Sequence, residues 1–228
     1  MSVQPLFIHG LYLSRTERAL HLWSDEPLTV LSSAVVGGEL TQTRHIVNMH
    51  VPNHYDCHTP AETLTVMAEE LGIAGPFVGL MTAANLKQAQ MVVERTDQTT
   101  VAAILTVGVS HPVAAGVTEA ASLSLPPGTI NAIVIVDGVL TPAARANALI
   151  TVTEAKTLAL VEAGVRAPHG GPATGTGTDA VVVAATGRGS VFEYAGPIAP
   201  VGAAIAGAVR RAMQNALLIR NLLNRPMA

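Results

Sequence analysis

Residues 6–51, LFIHGLYLSRTERALHLWSDEPLTVLSSAVVGGELTQTRHIVNMHV, decide the fold. Leu6 to Leu13 and Arg18 to Trp23 read as short strands joined by a polar turn. Leu28 to Val36 is a β-branched run ending at Gly37-Gly38, and Arg44 to Val51 is a further strand. Four strand signals in succession, with no helix between them, predict a β-meander and argue against a strictly alternating parallel fold.

Outward from this stretch the signals become mixed. Thr59-Pro60-Ala61-Glu62 supplies an N-cap, a first-turn proline and a capping-box glutamate for a helix to about Leu71, which Gly72 ends. Phe77 to Met81, Gln90 to Glu94, Thr100 to Ser110 and Thr129 to Val136 follow as strands. Thr141-Pro142 opens a long helix to about Ala163 that stops at Gly164, and a second long helix covers about 198–223. Between them the Gly-, Pro- and Thr-rich loop Pro168 to Gly177 feeds the apolar strand Asp179 to Ala185. The expected fold is α+β: one domain over residues 1–228, a large, mostly antiparallel sheet layered with a few helices. No internal repeat or interdomain linker interrupts it.

Composition narrows the function classes. Hydrophobic residues make up 49% of the chain and charged residues 13%, a low charge content that predicts extra burial and a homo-oligomer. The net charge is -3 without a basic cluster, so nucleic acid is not an expected partner. Cys57 is the single cysteine, which excludes an intrachain disulfide and reads as a structural thiol. Polar residues from Ser14 to Glu26 break any export signal, and apolar runs such as Val101 to Val109 are too short to span a bilayer. A cytoplasmic location without membrane association is expected.

Several constellations carry candidate chemistry. On the helix from Thr141, Asn147, Thr151 and Glu154 share one face with Ile150, Leu158 and Val161. A carboxylate among aliphatic side chains is costly to ionise, which makes Glu154 a candidate for proton transfer. Lys156 points to roughly the opposite side. Ala173-Thr174-Gly175-Thr176-Gly177-Thr178-Asp179 places three hydroxyls at alternate positions, aligned on one face if extended, with glycines that admit a ligand to the backbone. A threonine there with a neighbouring base would be a nucleophile. A nucleotide site is less favoured, because no Gly-Lys-Ser/Thr follows.

Ser33 ends its strand before Gly37-Gly38, where a hydroxyl can be exposed at a sheet edge, although no Gly-x-Ser-x-Gly elbow is present. Thr129 and Asn131 share a strand face with Ile133 and Ile135, and Asn131 is suited to binding an amide. His45, His50, His54 and His58 suggest a metal site, but His45 and His50 face opposite sides of one strand, so only His50, His54 and His58 can converge. No metal site is expected.

These same segments resemble, in order, the motifs of the adenosylcobinamide amidohydrolase family. The resemblance runs through Leu31-Ser32-Ser33-Ala34 with Gly37-Gly38, Asn48 with Val51, Gly79-Leu80-Met81-Thr82-Ala83-Ala84, and Thr106 to Ser110. It continues through Gly128-Thr129-Ile130-Asn131, Asn147-Ala148-Leu149-Ile150, Thr153-Glu154-Ala155-Lys156, Ala173 to Asp179 and Tyr194-Ala195-Gly196-Pro197. It covers about residues 30–215. His111-Pro112 stands where an asparagine is expected, and Glu39 where a small or apolar residue is usual.

The resemblance implies hydrolysis of the aminopropanol amide of adenosylcobinamide to adenosylcobyric acid, in cobinamide salvage for coenzyme B12. The substrate is a corrinoid small molecule, and no cofactor is implied beyond the cobalt it carries. A non-catalytic corrinoid-binding or carrier protein is the alternative. Glu154, Lys156, Asp179 and Ser33 are the catalytic candidates, with Lys156 orienting Asp179. Asn48, Thr82, Asn131, Thr174, Thr176 and Thr178 are the substrate-binding candidates. The expected centre has Glu154 facing Thr176 across one cavity.

Overall fold

The computed structural model describes residues 3–53, 55, 58–119 and 128–223. The strands are β1 (Val3–Pro5), β2 (Leu11–Arg15), β3 (Ala19–Ser32), β4 (Leu40–His50), β5 (Val78–Thr82), β6 (Gln90–Arg95), β7 (Thr100–Val107), β8 (Pro112–Val113), β9 (Ile130–Val136), β10 (Val139–Leu140), β11 (Gly175–Thr176), β12 (Ala180–Ala185) and β13 (Val191–Phe192). The helices are α1 (Pro60–Glu70), α2 (Pro142–Glu162) and α3 (Pro200–Leu223). The fold is α+β, with a sheet of nine strands among the described residues. Its order is β1-β2-β3-β12-β9-β7-β6, with β4 on β3 and β5 on β4. Two pairings, β9 with β12 and β4 with β5, are parallel, and the other pairings of this sheet are antiparallel.

The opening meander differs in detail from its sequence reading. Leu6 to Leu13 is not one strand, because Gly10, at φ +71°, turns the chain between β1 and β2. Arg18 to Trp23 and Leu28 to Val36 are joined instead of separate. The exposed Asp25-Glu26-Pro27 stretch sits at a register shift between Trp23 and Leu28, and a proline without an N–H fits such an irregularity. β3 therefore runs on through Ser32, pairing with β2 in its first half and β12 in its second.

Strands β7, β9 and β12 are buried on both faces, which explains their nearly unbroken aliphatic runs. Val101, Ala103, Ala132, Val134, Val181 and Val183 pack outward against α2 and α3. Ala102, Ile104, Ile133, Ile135, Val182 and Ala184 pack inward with Leu20, Leu22, Val30, Ile46 and Leu80, so the curled sheet encloses a second core. Helix α2 presents Ala144, Ala148, Val152, Ala155 and Ala159 to the sheet, and these small side chains allow close approach. Its start is capped by Thr141 Oγ1, which accepts from Ala144 N at 3.2 Å. Its end is a Schellman turn, with Gly164 N bonded to Val161 O and Val165 N to Leu160 O, and Gly164 at φ +68°. Thr59 caps α1 by position alone, without the side-chain bond expected of a capping box.

Candidate active site

The inner core changes character at one end. Along the inward rows, Ile46 gives way to Asn48, Leu80 to Thr82, Ile104 to Thr106, and Ile133 to Asn131. All four polar residues are buried. A polar group placed there must be hydrogen-bonded, since burying it bare costs about 1–3 kcal/mol. Asn131 Nδ2 donates to Asn48 Oδ1 at 2.9 Å and to Met81 O at 2.8 Å, and Asn48 Nδ2 donates to Thr106 Oγ1 at 3.0 Å.

The bond to Met81 has a topological cause. Gly79 exchanges both backbone bonds with Val36, so Met81, two residues further on, turns its carbonyl to the same edge of β5, away from β4. Asn131 supplies the donor that a further strand would have given. Thr129 Oγ1 extends the network, lying 3.3 Å from Asn131 Oδ1 and 2.7 Å from Thr178 O.

A second network adjoins the first. Lys156, on the inner face of α2, forms an ion pair with Asp179, and the two side chains are 7% and 11% exposed. The Asp179 carboxylate also accepts from Ile130 N at 2.9 Å, from Thr176 N at 3.1 Å and from the Thr176 hydroxyl. Gly175 makes this crowding possible, because a Cβ there would stand 2.5 Å from Asp179 Oδ2 and 3.0 Å from Lys156 Nζ. The two networks form one polar seam from Lys156 to Thr106 across the end of the sheet.

The other hydroxyl candidates are engaged by the protein itself. Thr174 Oγ1 accepts from Ala115 N at 2.9 Å, and Thr178 Oγ1 donates to Gly128 O at 3.1 Å. Ser33 Oγ accepts from Val181 N at 3.0 Å, and Thr82 Oγ1 from Ala84 N at 3.1 Å. Thr106 was not singled out from sequence. Its period-two alignment with Ile104 and Ala102 gives its face, and the pairing of β7 with β9 makes Asn131 its direct cross-strand partner.

Glu154 is elsewhere. It is exposed on the outer side of α2, and its aliphatic neighbours Ile150, Leu158 and Val161 are themselves 56%, 49% and 45% exposed. The expectation that apolar burial surrounds this carboxylate is thus corrected: its neighbours line open surface. The hollows bordered by Glu154 contain none of Thr174, Thr176, Thr178 or Asp179, so Glu154 and Thr176 share no cavity there. Among the histidines, His45 pairs with His21 at 3.1 Å on the outer face of the sheet, and His50 lies in the inward row after Asn48. His58 is in the exposed loop before α1. His54 and Cys57 lie outside the described residues.

A model of the adenosylcobinamide amidohydrolase family matches residues 7–225. The chain belongs to that family. Among adenosylcobinamide amidohydrolases, the protein of Methanosarcina mazei is 32% identical over 154 residues, 68% of each chain. That of Halobacterium salinarum is 31% identical over 192 residues, 82% of this chain and 79% of the relative. An uncharacterised protein of Methanocaldococcus jannaschii is 45% identical over 93 residues, which is 40% of this chain but only 36% of that protein. The crystal structure of the PH0078 protein from Pyrococcus horikoshii shares the fold, with a TM-score of 0.50 at 14% identity over 88% of this chain and 77% of that one. Amidohydrolase membership makes the seam, which runs through the family-like motifs, the natural place to look for amide chemistry. Among the described residues no helix is long and apolar enough to cross a membrane.

Proposed function

We propose that this chain hydrolyses the amide joining aminopropanol to the corrin of adenosylcobinamide, releasing adenosylcobyric acid for cobinamide salvage. The observation that carries this reading is the buried hydroxyl, carboxylate and ammonium of Thr176, Asp179 and Lys156, set at the edge of the seam. Amide hydrolysis needs a nucleophile, a base to take its proton and an acid for the departing amine. In the proposed mechanism the Thr176 proton passes to Asp179 as Thr176 Oγ1 attacks the amide carbon. Lys156 faces the charge that develops and donates a proton to the leaving aminopropanol. Water then cleaves the Thr176 ester, regenerating the hydroxyl and freeing the acid, while the proton held by Asp179 passes to its ion-pair partner Lys156 and restores both charges. Asn48, Thr82, Asn131, Thr174 and Thr178 hold the frame in which this occurs.

Incubation with adenosylcobinamide, followed by mass spectrometry of small products, tests the reaction. Aminopropanol and adenosylcobyric acid are the expected products, and rapid quenching should trap a corrinoyl ester on Thr176. The bonds that Thr174, Thr178 and Ser33 make to backbone groups of the protein favour a second reading, a corrinoid carrier without turnover. Binding of adenosylcobinamide without release of aminopropanol would select that reading.

A further inference from the structure

The proposed chemistry leaves one feature at the same end of the sheet unused, a polar cleft of about 410 Å³ bordered by Glu17, His50, Ala83, Asn85, Leu86 and Lys87. His50 follows Asn48 in the inward row of β4 and is in register with Thr82. Its Nδ1 is buried and has no hydrogen-bond partner among the described residues. An orphaned buried N–H is rarer than an orphaned acceptor. A ring proton on Nε2 leaves Nδ1 as a bare acceptor, the better tolerated orphan, and keeps a donor on the other edge of a ring that borders the cleft.

The other walls point the same way. Asn85, on another wall, accepts at Oδ1 from Lys87 N at 2.9 Å, a bond that does not use its amide NH₂. The carboxylate of Glu17 is already matched by the Lys87 ammonium at 2.7 Å. The cleft is thus lined by N–H donors beside the seam, without an unpaired negative charge from its own walls. We infer that it takes a carboxamide carbonyl from the periphery of the corrin, with His50 donating through Nε2–H. His50 is then a positioning residue, and the inference rests on the hydrolase reading only for the identity of the substrate.

Equilibrium dialysis and turnover with adenosylcobinamide separate the two claims. His50→Phe should weaken binding about tenfold and leave kcat within about twofold, while His50→Gln, which keeps a donor, restores binding to within about threefold. Nitrogen-resolved NMR of the wild-type ring should find the proton on Nε2. Unchanged affinity in His50→Phe, or a proton on Nδ1, overturns the inference. Loss of a corrin absorption change in that variant also overturns it, by making His50 a cobalt ligand. Wild-type binding without aminopropanol release overturns the hydrolase reading and leaves the cleft standing.

Discussion

Glu154 and Lys156 stand two residues apart on α2 and occupy opposite environments. On the outer face Glu154 lies in an exposed aliphatic stripe, while on the inner face Lys156 is sealed against Asp179 beneath the Gly-Thr segment. Apolar neighbours on a helix do not by themselves mean burial; what matters is whether another element covers the stripe. Here α2 turns its alanines, with Val152 and Leu160, to the sheet and leaves Ile150, Leu158 and Val161 outside.

The largest test of this contrast is Lys156→Met, which strands Asp179 without its cation. A loss of about 3–5 kcal/mol of stability is expected in urea unfolding, together with loss of turnover. Lys156→Met with Asp179→Leu should recover at least half of that stability and stay inactive, separating the fold from the chemistry. Asn131→Leu removes the donor to Met81 O and to Asn48 Oδ1, and a loss of about 2–3 kcal/mol is expected by the same measurement. On the outer face, Leu158→Ser should change stability by no more than about 0.5 kcal/mol, and a larger loss would mean that the stripe is covered in solution.

A smaller effect is expected from the imidazole pair on the outer face of the sheet. Burial first, and the neighbouring His45 second, lower the His21 pKa to about 4. The unfolded chain binds a proton there near pH 6.5 and the folded chain does not, so stability should fall as pH drops through this window and level off below pH 4. Melting temperature against pH should show that slope in the wild type and a shallower one in His21→Phe.

Much of this architecture was legible in the sequence, because aliphatic runs and glycine stops report strands and helix ends directly. The joining of β3 was not, since a Pro27 stretch reads as a break unless the partner strands are known. The seam was half legible. Asn131, Lys156, Asp179 and Thr176 stood out individually, but their meeting depends on long-range register, Asn131 opposite Thr106 and Ala180, that periodicity cannot supply. Glu154 misled for the same reason: the helix pattern gives a face, and only packing says which face turns inward.

Release of aminopropanol from adenosylcobinamide, measured in parallel for the wild type, Glu154→Gln and Thr176→Val, tests the central claim most directly. With the chemistry on the inner side of α2, the wild type and Glu154→Gln should turn over within about twofold of each other, while Thr176→Val should lose at least about a thousandfold. A hundredfold or greater loss in Glu154→Gln with Thr176→Val still active would contradict the account and move the active centre to the outer face.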